Sequence, residues 1–134
     1  MATNLELVSY AFWKIGVVDE NQSPSAQQGV IGLTTANDFF LNEAADGMRI
    51  GWYKQTDLLA TSPLRDSDVG PAKSLLAGAL AAHYGITIQA GTELAAEISE
   101  ARRVLTKRSL RYFESDLGEL QRPQGGPWGG PNWN

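Results

Sequence analysis

Between Thr92 and Phe113, the residues Leu94, Ile98, Ala101, Leu105 and Tyr112 fall at spacings of 4, 3, 4 and 7. That period lines them along one side of an α-helix and excludes a strand, whose side chains alternate every second residue. Thr92 offers a capping hydroxyl, and Glu93, Glu97 and Glu100 place negative charge where the helix dipole is positive. An apolar stripe of this length needs other apolar surfaces to lie on.

Three more helical segments supply them. Thr3 followed by Glu6 predicts a capping box, after which Leu5, Val8, Phe12 and Ile15 recur at helical spacing, widened by Leu7 and Ala11, until Gly16 ends the helix in a left-handed turn. Ser23-Pro24 reads as an N-cap with proline at the first helical position of a second helix that runs to about Ala45. Val30, Leu33 or Thr34, Asn37, Phe40 or Leu41, and Ala44 share a face of it. Gly29 and Gly32 each cost about 1 kcal/mol relative to alanine, so a break or kink is expected near them. After Asp46-Gly47, Met48 to Pro63 lacks a helical period and predicts an extended or loosely β-like connection, long enough to suggest a functional or partner contact. A third helix should start near Asp68 to Pro71 and end at Gly85, packing Leu75, Leu76, Ala79, Leu80 and Ala82; Ala77, Gly78 and Ala81 permit close approach of a neighbour. The expected fold is all-α: a small bundle of about four helices, with a long extended connection between the second and third and an extended C-terminal arm. Residues 1–113 form the body and 114–134 the arm.

At 134 residues the chain supports one core. It has no cysteine, so disulfides, thiolate nucleophiles and thiolate metal sites are excluded. No apolar run approaches the roughly 20 residues that span a bilayer, and Met1 to Leu7 lacks the pattern of a signal peptide. The expectation is a soluble, intracellular protein with no membrane partner. Fifteen acidic and eleven basic residues give a charge of -4, which argues against a free-standing nucleic-acid binder. Distribution narrows that statement, because Ala101 to Phe113 carries Arg102, Arg103, Lys107, Arg108 and Arg111 and no acid. Arg103, Lys107 and Arg111 recur every four residues as one stripe. It is either a solvated face complementing the helix C-terminus or a contact for an acidic protein partner or DNA phosphates; the acidic total favours protein over DNA.

Catalytic patterns are sparse, and no cofactor or metal is implied. His83 is the single histidine, and a triad with Ser74 and Asp68 would need them to converge. Asp66-Ser67-Asp68 resembles the opening of a calcium loop, but Pro71 stands where that loop needs glycine and Ala77 where it needs glutamate, so helix capping explains it better. Glu6, Glu43, Glu93, Glu97 and Glu100 could supply a carboxylate pair for glycan hydrolysis, yet no spacing selects one.

The tail, Gln121 to Asn134 (QRPQGGPWGGPNWN), repeats Gly-Gly-Pro before Trp128 and Gly-Gly-Pro-Asn before Trp133. Burying two indoles, at about 150–250 Å² each and about 25 cal/mol/Å², returns at most ~8–12 kcal/mol. Ordering the ten residues from Gly125 onward costs ~10–20 kcal/mol. A groove that adds backbone hydrogen bonds, presented in many copies, would tip that balance. Pro127, Trp128, Pro131 and Trp133, with Tyr112 and Phe113 before them, are therefore the expected adhesive residues.

The opening Leu7-Val8-Ser9-Tyr10-Ala11-Phe12-Trp13-Lys14-Ile15-Gly16-Val17 is similar to the L-V-x-x-A-x-x-K-I/L-G-V start of the head-to-tail adaptor proteins of short-tailed bacteriophages, also called packaged-DNA stabilisation or head-completion proteins. The polar Asp19 to Gln28 stretch before a helix ending near Leu41-Asn42-Glu43 fits that family, as does Leu80-Ala81-Ala82-His83-Tyr84-Gly85-Ile86 before an Ala/Arg/Lys-rich helix. The resemblance covers residues 5–113. It implies a non-enzymatic virion component at the head-tail junction, made in the host cytoplasm, whose copies (usually twelve) form a ring beneath the portal protein. Such a ring extends the channel of packaged double-stranded DNA and presents a platform to tail or nozzle proteins. It also implies an arm reaching the portal, a role that falls here on Glu114 to Asn134, with Trp128 and Trp133 anchoring it in the portal or a neighbouring subunit, while Arg102 to Arg111 would face an acidic partner or line the channel. The alternatives from the residues alone are a small peptidoglycan-degrading glycan hydrolase and a DNA-binding module.

Overall fold

The computed structural model describes the backbone of residues 2–125 and the side chains of residues 2–110. Four helices follow one another: α1 (Asn4–Lys14), α2 (Ala26–Ala45), α3 (Asp66–His83) and α4 (Glu93–Gly125). The all-α expectation holds: among the described residues the only β-type pairing is an isolated antiparallel bridge between Thr3 and Thr61. No described helix is long and apolar enough to cross a membrane. α3 is the hub, packing against α1, α2 and α4. Its Ala72, Leu76, Ala77 and Leu80 are completely buried, and the alanines let three neighbours come close.

α1 starts as its sequence predicts. The Thr3 hydroxyl accepts from the Glu6 N–H at 3.2 Å, and Leu7 N–H bonds to the Thr3 carbonyl. Its two remaining free donors, the N–H groups of Asn4 and Leu5, bond to the carbonyls of Ala60 and Leu58 in the connection. A helix leaves its first N–H groups without intrahelical partners, and those of Asn4, Leu5 and Glu6 are all satisfied here. Leu7, Val8, Ala11 and Phe12 form the buried face, and Gly16 turns the chain out at φ +78°.

α2 departs from expectation in its start and its face. Its N-cap is Ser25, not Ser23: the Ser25 hydroxyl accepts from Gln28 N–H while the Gln28 side chain accepts from Ser25 N–H. This reciprocal pair satisfies two groups at once, which Ser23 before Pro24 cannot do. The buried face is Gly29, Gly32, Leu33, Ala36, Asn37 and Phe40, whereas Val30 is 62% exposed. The glycines do not break the helix; they are where it touches its neighbours. A Cβ on Gly32 would collide with Val8 Cγ1, and one on Gly29 with Leu58 Cδ1.

The connection from Met48 to Leu64 belongs to the core. Met48, Ile50 and Trp52 are buried while Arg49 and Tyr53 are exposed, an alternation like that of a strand, but Gly51 (φ +83°) interrupts the extended backbone and a turn follows at Leu58-Leu59. Asn37 takes the place of a partner strand. Its amide donates to the Gln55 carbonyl at 2.8 Å and its oxygen accepts from Gln55 N–H and from Trp52 Nε1. The Trp52 ring packs on Phe40 at 4.9 Å between centroids.

α3 begins at Asp66, two residues before the earliest expected start, and carries Pro71 inside it. Proline has no N–H for the carbonyl four residues back, that of Ser67. Arg108 of α4 donates to that carbonyl instead, at 2.9 Å. Gly85 (φ +69°) ends the element, as expected.

α4 is capped by the Thr92 hydroxyl, which accepts from Ala95 N–H. Ala101, Leu105 and Ser109 are buried, with Leu94 and Ile98 half-buried beside them. The helix does not stop near Phe113: it continues to Gly125, so residues 114–125 are helical where an extended arm was expected. Glu114, Glu119, Gln121 and Arg122 are good helix formers, and Leu117 and Leu120 keep a three-residue apolar spacing. The expected core contact of Tyr112 lies outside the described side chains.

Candidate functional site

The cationic segment of α4 contains no acid of its own, but its neighbours in space supply several. Arg102 (49% exposed) pairs with Glu43 of α2 at 2.6 Å. Arg103 grips both oxygens of Glu100 one turn earlier on α4. This hydrogen bond holds the Glu100 carboxyl below the usual carboxylate range and raises Arg103 in return. Arg108 binds the buried Asp68 carboxylate as well as the Ser67 carbonyl. Three of the five cations thus have partners within the chain, and Lys107 is exposed without an ion pair among the described residues. The side chain of Arg111 lies outside the described residues, as do those of Tyr112 and Phe113; Pro127, Trp128, Pro131 and Trp133 lie outside them altogether.

Arg108 also borders a cavity of about 310 Å³ with Arg49, Arg65 and Asp68, where the connection meets the start of α3. Asp66-Ser67-Asp68 does not cap α3 as its sequence suggests: the N-cap is Arg65, no side chain caps the helix, and Asp66 and Asp68 lie in the first turn, where their charge suits the positive end of the dipole while Arg108 holds Asp68.

The other candidate chemistry does not converge. His83 is exposed in the last turn of α3, its ring 5.2 Å from that of Tyr84. Ser74 lies nine residues earlier on the same helix, about 13 Å along its axis at about 1.5 Å per residue. That separation rules out a His83–Ser74 hydrogen bond. Among the glutamates, Glu43 faces Arg102, Glu100 faces Arg103, and Glu97 accepts from Lys14 at 3.2 Å. A glycosidase general acid sits in apolar surroundings that keep it protonated, whereas each of these three carboxylates is taken up in an ion pair.

An apolar groove of about 600 Å³ lies between α2, α3 and the first turns of α4. Phe39, Gly78, Ala79, Ala82 and Ile98 line it together with Arg102. Gly78 approaches Ile98 so closely that a Cβ there would lie 3.2 Å from Ile98 Cδ1. The small residues of α3 thus do admit another helix.

No protein-family model matches the chain, and no curated protein matches its sequence.

Proposed function

We propose that the chain is a non-enzymatic structural subunit of a bacteriophage particle, a head-to-tail adaptor whose copies form a ring beneath the portal protein. There it would extend the DNA channel, help retain the packaged genome and seat the tail or nozzle proteins. The observation that carries this reading is the fate of the segment resembling that family. Leu7, Val8, Ala11 and Phe12 of Leu7-Val17 are the buried face of α1. Lys14 reaches across to Glu97 at the start of α4, and Gly16 adopts the left-handed conformation that ends the helix. Each residue type in the motif has a distinct structural use, so the resemblance coincides with a folded unit.

Native mass measurement, on the protein alone and mixed with the portal ring of a short-tailed phage, tests the proposal. The expected result is a portal complex heavier by a ring of copies, usually twelve in this family. A protein that leaves the portal mass unchanged would refute it.

A further inference from the structure

We propose that the groove between α2, α3 and α4 is the seat for residues 126–134 of a second copy of this chain, with Trp128 and Trp133 as the inserted side chains. The inference builds on the reading of the chain as an assembly subunit and names the contact that joins neighbours.

The groove suits flat aromatic side chains. Gly78, Ala79 and Ala82 leave room over α3, while Phe39 and Ile98 provide apolar walls. Arg102, also lining it, is half exposed and can lie against an indole face, a favourable cation–π arrangement.

Reach decides which copy supplies the tryptophans. Arg102 is the groove residue nearest in sequence to the end of α4, yet 23 residues separate it from Gly125, about 35 Å of helix. Trp128 is three residues past Gly125 and Trp133 eight, so even a fully extended chain carries their Cα atoms at most about 11 and 29 Å. With the length of an indole added, Trp128 still falls far short and Trp133 at most touches Arg102, while Ile98 lies 27 residues, about 40 Å of helix, from Gly125. Neither indole can enter the apolar part of the groove of its own chain. The groove and the tryptophans thus belong to opposite ends of α4, and a contact between them joins unlike surfaces of two copies. Repeated, such a head-to-tail contact closes into a ring or grows into a filament.

The absence of cysteine makes the test clean. The full chain carrying both Ala82→Cys and Asn132→Cys is oxidised and run on a non-reducing gel. A ladder of dimers and larger multimers, reduced at least tenfold when Trp128→Ala and Trp133→Ala are added, supports the seat. An internally closed monomer, or no cross-link, overturns it. Native mass of the chain with a portal ring separates this result from the adaptor reading. Portal rings that form without a ladder sink the seat alone, whereas a ladder from a chain that never joins the portal supports the seat and sinks the adaptor reading.

Discussion

Gly32→Ala tests the close approach of α1 and α2. In an open helix this change would gain about 1 kcal/mol of helix propensity. Here the new methyl would lie closer to Val8 Cγ1 than real Cβ atoms come to any neighbour, and 3.2 Å from Phe12 Cε2. Neither can yield easily, because both are at most 1% exposed and the start of α1 is tied to the connection by backbone hydrogen bonds. Overpacking of this kind costs about 1–3 kcal/mol, so the net expectation is a loss of about 1–2 kcal/mol. A second helix glycine provides the scale. Gly29→Ala meets only the half-buried end of Leu58 and should be close to neutral. Urea unfolding followed by far-ultraviolet circular dichroism should place Gly32→Ala below both wild type and Gly29→Ala, with unchanged m-values. A Gly32→Ala protein more stable than wild type would show that the two helices do not meet at this point.

Two further outcomes follow from the ion pairs. Arg108→Met strips the buried Asp68 carboxylate and the Ser67 carbonyl of their shared donor; because the arginine is 43% exposed, the loss should be about 2 kcal/mol, below the 3–5 of a fully buried pair, and Arg108→Met with Asp68→Asn should recover part of it in a double-mutant cycle. The Glu97 hydrogen bond raises Lys14 above its ordinary value of 10.5, so its stabilisation is complete below that pH and fades as pH rises through the raised value. Melting temperatures of wild type and Glu97→Gln should therefore differ most near neutral pH and converge in strong alkali; a constant gap would contradict the pairing.

What the sequence revealed, and what it hid, follows from the range of each interaction. The Thr3 and Thr92 caps and the glycine turns at Gly16, Gly47 and Gly85 are decided within a few residues, so local reading finds them. The Ser25 cap is local too, as Ser25-x-x-Gln28, but Ser23-Pro24 competes with it and only the reciprocal hydrogen bonds decide. Val30 looked like core because Gly29 and Gly32 count as costs along a helix, whereas their value lies between helices. The partners of Arg102 and Arg108 are 59 and 40 residues away, so a stripe without acids in sequence becomes a set of ion pairs in space. Likewise, nothing beside Met48, Ile50 and Trp52 in sequence announces that Asn37 will hold the connection in the core.

The hydrogen bonds from Asn4 and Leu5 to Ala60 and Leu58 also bear on the order of events during folding. A helix of 11 residues is marginal by itself, and part of what completes the first turn of α1 arrives more than fifty residues later. During synthesis α1 therefore leaves the ribosome well before its partners exist, and it can lock only when the loop through α2 and the connection closes on it. That closure is a non-local step, and closing a long loop is the slow part of folding for a helical protein. Refolding should accordingly be slower than for a bundle of this size with short connections, and substitutions at Asn4 should fall on the folding rate if this closure belongs to the transition state.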